Sequence, residues 1–329
     1  SSVDPIVGNI DGTNFIINVK PKSGGMGETT LNSSITELFP CIAFEKNINS
    51  KNVIDFMEKI MSVDLNTCKS IIGSDLKAAE ATVNKAESSS KYQEKMENAL
   101  GILNFIKDQH NEKPIKQVYW GYRGKPAGVP GNHPGDMFIQ YKDNKMLGVS
   151  LKAGGKKTKE PQLNTYHNAV FLNSRGGPSF NDKGGLEALR KEVYAKVYSK
   201  IKGMPALDNA YYDQYLEIVR QGLINRFNKN IVASLKYVKD AILREAPDVP
   251  TIVIKAVGNS YNEVTDRAEL GVFLPQVKFV KAYKGSGKQD FLIDLKSGDD
   301  KVTLGMSTRS SSGGKLKQFS LKVTYNGLK

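Results

Sequence analysis

Residues 134–166, PGDMFIQYKDNKMLGVSLKAGGKKTKEPQLNTY, constrain the fold more than any other stretch. Asp136–Tyr141 and Met146–Lys152 each have strand character, and residues 142–145 between them are short and polar. That spacing predicts an antiparallel hairpin. Antiparallel pairing brings Asp136, at the start of the first strand, to the same end as Lys152, at the close of the second. A carboxylate beside an amine, followed by the basic glycine loop KAGGKKTKE, suits phosphodiester chemistry. The carboxylate can hold a hard divalent cation, and the amine can steady an attacking water or the charge that develops on phosphorus.

The rest of the chain supplies context. Its formal charge is +13, which suits a polyanionic partner, nucleic acid first. No stretch reads as a membrane span or as a basic amphipathic helix with an aromatic face, so no membrane partner is expected. Cys41 and Cys68 lie far apart, and His110, His133 and His167 have no metal-ligand spacing, which excludes a disulfide scaffold and a zinc site. No signal-peptide pattern opens the chain, and a reducing cytoplasm is the expected compartment.

Near the N-terminus, a strand over Asn14–Val19 precedes KSGGMGETT. This resembles a nucleotide-binding phosphate loop, but Glu28 occupies the lysine position and would repel phosphate. A glycine turn is the expectation. Ser34-x-x-Glu37 fits a capping box opening a helix, with Pro40 in its first turns. Residues 50–90 read as a small helical insertion. Met96, Leu100, Leu103 and Ile106 share one face of a helix over 92–109, and a strand follows at Lys116–Tyr122. Beyond the hairpin, Pro161–Leu172 and Leu186–Ile201 are predicted helices. Tyr211–Arg244 is a long helical region broken near Asn228–Asn230, and Thr251–Val257 is a buried strand. Residues 271–329 alternate and turn repeatedly, so the C-terminal portion is β-rich. From Val272 to Lys329 there are eleven Lys or Arg against four Asp or Glu, about half the net charge of the chain. Three consecutive segments are expected: 1–90, 91–260 with the hairpin core, and 261–329.

At the hairpin the sequence resembles the PD-(D/E)XK nuclease superfamily. That family's pattern is a helix carrying Glu, a strand, a strand beginning with Asp, and a strand ending D/E-x-K. Here the order is helix 92–109, strand 116–122, His133-Pro-Gly-Asp136, then Ser150-Leu-Lys152. Gln162-Leu-Asn-Thr-Tyr166, ten residues past Lys152, resembles the Q-x-x-x-Y helix of the RecB-type and lambda-exonuclease-type branch. The resemblance covers roughly residues 90–170. It implies an α/β (α+β) fold, a restriction-endonuclease-like mixed sheet flanked by helices, here with a β-rich C-terminal portion. It also implies a Mg2+-dependent (or Mn2+-dependent) deoxyribonuclease, with endonuclease favoured over exonuclease and DNA over RNA. A homodimer is compatible with it.

The departure is Ser150, where the family places an acid. A hydroxyl is a neutral and weaker ligand for Mg2+. By resemblance, Asp136 and a helix glutamate would hold the metal with the Leu151 carbonyl. Glu97 ranks first, and Glu94 and Glu37 are alternates. Lys152 would position the attacking water. Gln162 and Tyr166 would contact the metal site or the scissile strand. Lys156, Lys157, Lys159, Arg175, Arg309, Lys315 and Lys317 would contact phosphates, giving affinity that falls with salt. Two other readings compete: a nuclease-fold DNA-binding protein that has lost catalysis, and a basic structural or assembly protein that neutralises nucleic acid.

Overall fold

The computed structural model describes residues 6–10, 13–17, 26–50, 52–131, 133–153, 167–168, 213–229, 231–237, 249–264, 276–287, 290–310 and 319–328. The chain is mixed α and β, and it divides into two compact units, neither continuous in sequence. One unit comprises residues 24–160 and 245–265; the other comprises 1–23, 161–244 and 266–329. The three consecutive segments expected above give way to this division. The reason is strand pairing: a strand near residue 251 returns to the hairpin sheet after the chain has contributed to the other unit.

In the first unit, α1 (Glu28–Glu45) has Gly27 at its N-cap position, about two turns before the expected cap at Ser34. Ser34 is therefore a buried interior residue and not a cap. Glu28 accepts hydrogen bonds from the Ser90 backbone and hydroxyl, which hold its carboxyl below the usual range and tie the helix start to a later turn. Pro40 lies well inside the helix, where it removes one ladder bond, to the Thr36 carbonyl. The apolar side chains Ile35, Leu38, Phe39 and Ile42 are fully buried, and burial of this kind contributes about 1.5–3 kcal/mol per side chain. That is enough for the helix to tolerate the proline.

The following segment belongs to the core. α2 (Val53–Met61) is capped by the Asn52 side chain, which accepts from the Asp55 N–H at 2.9 Å, and it buries Phe56, Met57 and Ile60. Residues 68–72 form turns, and α3 (Leu76–Lys85) follows. α4 (Tyr92–Glu112) packs along α1.

The sheet of this unit runs β3 (Ile115–Trp120), β4 (Met137–Tyr141), β5 (Met146–Ala153), β7 (Thr251–Val257) and β8 (Ser260–Val264), in that spatial order. β3, β4 and β5 are antiparallel, as the hairpin reading expects, and Asn144 takes a positive φ of 65° in the β4–β5 turn. β5 pairs in parallel with β7, and β8 closes the sheet antiparallel to β7. Trp120, Met137, Ile139, Val149, Leu151, Ile254 and Ala256 join the α1 and α4 side chains in one core cluster. α1 packs on β3 and β5, whereas α4 packs on β7 and β8. At Gly101 of α4 a Cβ would lie 2.7 Å from the Ser260 carbonyl oxygen, so glycine permits the close approach to β8.

The other unit contains a hairpin, β1 (Ile6–Ile10) with β2 (Thr13–Ile17), and a five-stranded sheet. The sheet order is β6 (His167–Asn168), β12 (Phe319–Leu328), β11 (Asp300–Ser310), β10 (Asp290–Ser297) and β9 (Lys278–Lys284), with every pairing antiparallel. The helix expected over 161–172 does not extend through His167–Asn168, which pair with Leu321 and Ser320. α5 (Asp213–Lys229) and α6 (Ile231–Tyr237) meet at the expected break, and α5 packs on β9, β10 and β11. Phe227 of α5 contacts Phe279 and Phe291. The Asn228 side chain donates to the Ala282 carbonyl at 2.9 Å and accepts from the Ala282 N–H at 2.8 Å, so it occupies part of the outer edge of β9. The helix expected at 186–201 lies outside the described residues. No helix among the described residues is long and apolar enough to cross a membrane.

Candidate active site

The end of the β4–β5 hairpin is built by a carboxylate that stands in for backbone. The Asp136 N–H donates to the Val149 carbonyl at 2.9 Å, and its own carbonyl accepts from the Gly121 N–H at 2.8 Å. Its Oδ2 accepts the Leu151 N–H at 2.8 Å and the Ser150 hydroxyl at 3.3 Å. The side chain thus satisfies a β5 donor where β4 has not yet begun. Two residues on, and on the same face by strand alternation, Lys152 Nζ donates to Ser150 Oγ at 3.2 Å. Asp136, Ser150 and Lys152 therefore form one hydrogen-bonded chain, and Leu151 joins it through its N–H.

A second carboxylate faces this chain. Glu37 of α1 accepts from the Trp120 indole N–H at 3.3 Å. Burial first, and the nearby Asp136 carboxylate second, push its carboxyl well above the usual range; the Trp120 bond, Lys152 and Lys125 act in the opposite direction. Of the three glutamates considered from sequence, Glu37 is the one grouped with Asp136 and Lys152. Glu97 accepts from the Gln93 side chain at 2.9 Å, and Glu94 pairs with Lys95 at 3.0 Å. The ranking of Glu97 first followed from chain order, but the helix packed on β3 and β5 is α1.

Two lysines that sequence reasoning left without a site role lie close by. Lys125 Nζ donates to the carbonyls of Gly121 at 2.7 Å and Gly135 at 2.9 Å, and sits 5.2 Å from the Phe138 ring centroid. Burial pulls its ammonium below the usual lysine range, while Asp136, Glu37 and Asp75 oppose that shift. Asp75 accepts from the Arg123 and Gly124 N–H groups at 3.2 and 2.8 Å, which fixes the loop that carries Lys125. Lys95, buried on α4, donates to the Ala153 carbonyl at 3.4 Å, just past Lys152. The signal for Lys125 was its position in the Gly- and Pro-rich loop leading to Asp136. For Lys95 the periodicity gave no signal.

His133, in the loop that leads into β4, braces the same end of the hairpin. Its Nδ1 accepts from the Gly135 N–H at 2.9 Å, and Nε2 lies 3.0 Å from the Val249 carbonyl and 3.3 Å from the Thr251 hydroxyl. The first of these bonds assigns the ring the tautomer with its proton on Nε2. The ring stands directly over Gly148 and edge-on to Phe138.

Chemically, the arrangement offers two carboxyl groups, the backbone-anchored Asp136 and the buried Glu37, with flanking ammonium groups. Among the described residues, no three His, Cys, Asp or Glu side chains converge on one point. A metal here would therefore take two carboxylates, with backbone, water or substrate oxygens completing its shell. That is the usual habit of Mg2+. Lys156, Lys157, Lys159, Gln162, Tyr166, Arg175, Lys315 and Lys317 lie outside the described residues. Arg309 is on β11, opposite Ser320, in the other unit. No family model, no curated protein and no solved structure matches the chain.

Proposed function

We propose that the chain is a metal-dependent nuclease of the restriction-endonuclease-like type, hydrolysing phosphodiester bonds of DNA, with endonuclease favoured over exonuclease. The observation that carries this reading is the grouping of Glu37, Asp136 and Lys152 at one end of β5. A helix bearing glutamate, a strand, a strand preceded by aspartate and a strand ending in lysine follow one another in the order that the superfamily resemblance calls for. The donor set fits Mg2+ or Mn2+: Glu37 and Asp136 would hold it, and the Leu151 carbonyl is the third expected ligand. When bound, such an ion supplies charge stabilisation at phosphorus and lowers the pKa of a bound water.

The chain's own residues carry the rest. Asp136 is held in place by the Leu151 N–H, so its remaining carboxylate oxygen stays available. Glu37 is oriented by Trp120. Lys152 is linked to Asp136 through the Ser150 hydroxyl, and its ammonium would orient a water for in-line attack and stabilise the developing charge.

The test is cleavage of supercoiled and linear DNA with Mg2+ or Mn2+ by the wild type, Asp136→Ala, Lys152→Ala and Glu37→Gln. Each variant is expected to lose on the order of 100-fold or more in rate. Wild-type rates in Asp136→Ala and Lys152→Ala would overturn the assignment. Metal occupancy has a separate readout. Trp120 is the chain's one tryptophan and donates to Glu37, so it should sensitise Tb3+ emission. That emission should disappear in Asp136→Ala.

Ser150 favours a second reading, a nuclease-fold DNA-binding protein without catalysis. The hydroxyl standing where the family has an acid is already engaged by Asp136 and Lys152. Duplex binding with neither cleavage nor Tb3+ emission would establish it.

A further inference from the structure

The sheet of the second unit has two unlike faces. In one cross-strand row, Phe279, Leu295 and Val302 are in register and buried. In the next row, Lys278, Lys296 and Lys301 are in register, with Lys296 opposite both of the others, and all three are exposed. Adjacent strands lie about 4.8 Å apart, so three ammonium stems leave the sheet within about 10 Å of one another. Like charges directly opposite each other destabilise a sheet.

None of the three lysines has an ion-pair partner among the described residues. Of the β10 acids on the same face, Asp290 lies at the far end of the strand, and Asp294 accepts from the Tyr283 phenol at 3.0 Å and the Thr303 hydroxyl at 2.9 Å. Asp300 precedes Lys301 and so alternates to the opposite face. A bulge in β9 at Val280 brings Lys281 to the open face with Lys278, where it stands opposite Asp294. Lys281 Nζ lies 4.9 Å from the Tyr283 ring centroid, pairing an exposed cation with an aromatic surface.

From this row we infer that the open face of β9–β10–β11 is a docking surface for the phosphate backbone of duplex nucleic acid. The charge is complementary, and the segment from Val272 carries an excess of seven positive charges. The lysines are uncompensated at a cost to the sheet, and phosphates would relieve that repulsion. Contacts of this kind position a duplex without reading its bases. The inference takes only the nucleic-acid partner from the proposed function and uses none of the cleavage residues.

The experiment is fluorescence anisotropy of the full chain with a labelled duplex in EDTA, over a series of salt concentrations. The proteins are wild type, the triple variant Lys278→Ala/Lys296→Ala/Lys301→Ala, Lys296→Glu and Asp136→Ala. In the triple variant the slope of log affinity against log salt should become shallower by about 3, with affinity down tenfold or more at moderate salt. Lys296→Glu should bind more weakly than wild type yet melt no lower, because a glutamate there faces two lysines. Asp136→Ala should bind normally, which separates failure of this inference from failure of the cleavage reading. The inference is overturned if the wild type does not bind duplex, or if the triple variant keeps the full salt slope. It is also overturned if Lys296→Glu melts well below wild type, which would make the row structural, or if anionic phosphatidylserine vesicles are bound and duplex is not.

Discussion

Gly148 gives the sharpest test of how the candidate site is held together. A Cβ at this position would lie 2.3 Å from His133 Cε1, 3.1 Å from Nε2 and 3.2 Å from Nδ1. The ring cannot swing aside freely, because both nitrogens are hydrogen-bonded and the residue is 4% exposed. Gly148→Ala must therefore displace the ring by about 1 Å, at an overpacking cost of about 1–3 kcal/mol. It also weakens bonds to Val249 and Gly135 worth about 1 kcal/mol each. The restricted unfolded chain returns roughly 0.4–1 kcal/mol, leaving a net loss of about 3 kcal/mol. His133→Ala alone should cost a similar amount, since the buried Val249 carbonyl and the Gly135 N–H lose their partner. The double variant has no ring to clash with, and its new methyl fills part of the space left. Its loss should match His133→Ala alone, for a coupling energy of about 3 kcal/mol. The assay is equilibrium urea unfolding followed by the fluorescence of Trp120, which belongs to the same unit as both residues. Losses that add to within about 0.5 kcal/mol would show that His133 is not pinned over Gly148.

Two further outcomes follow from the packing. Glu37 has its carboxyl raised by burial and by Asp136, so its contribution to stability is full below the ordinary glutamate value and is lost as pH rises through the folded value. Glu37→Gln should therefore gain stability over wild type progressively from pH 5 to pH 8, by urea unfolding in the absence of metal; a constant difference across that range would refute the environment assigned to Glu37. Asn228→Ala removes both side-chain bonds to Ala282, which should cost about 2 kcal/mol and expose the β9 edge to pairing between chains; sedimentation velocity should then show self-association, and a monomer of unchanged stability would contradict the capping role.

The hairpin was legible because alternation and a short polar turn over-determine one local pairing. Thr251–Val257 was legible as a buried strand because it is almost continuously apolar. Its partner was not, since nothing local in TIVIKAV specifies parallel pairing with β5 across residues 154–250. β8 escaped notice because SYNEV is a largely exposed edge strand with no apolar period. The start of α1 was misplaced because Ser34-x-x-Glu37 has capping-box spacing, whereas Gly27 begins the helix without any side-chain cap. The same error concealed the site: Glu37 read as a cap, and Glu97 as the carboxylate nearest in chain order. Contact between α1 and β5 is tertiary, and one-dimensional spacing carries no record of it.

The parallel pairing of β5 with β7 also sets an order of events during synthesis. Until residues 251–257 leave the ribosome, the strand carrying Ser150, Leu151 and Lys152 has β4 on one side and nothing on the other. His133 likewise lacks its contacts to Val249 and Thr251 until then. A nascent chain halted before this point would display an open strand edge, the kind of surface that chaperones cover and that aggregates recruit. The candidate site is thus assembled only after much of the second unit has been translated. A ribosome-stalled series, long enough at one end to carry residue 257 out of the exit tunnel and at the other to leave it inside, would mark that moment as the onset of protease resistance in the first unit.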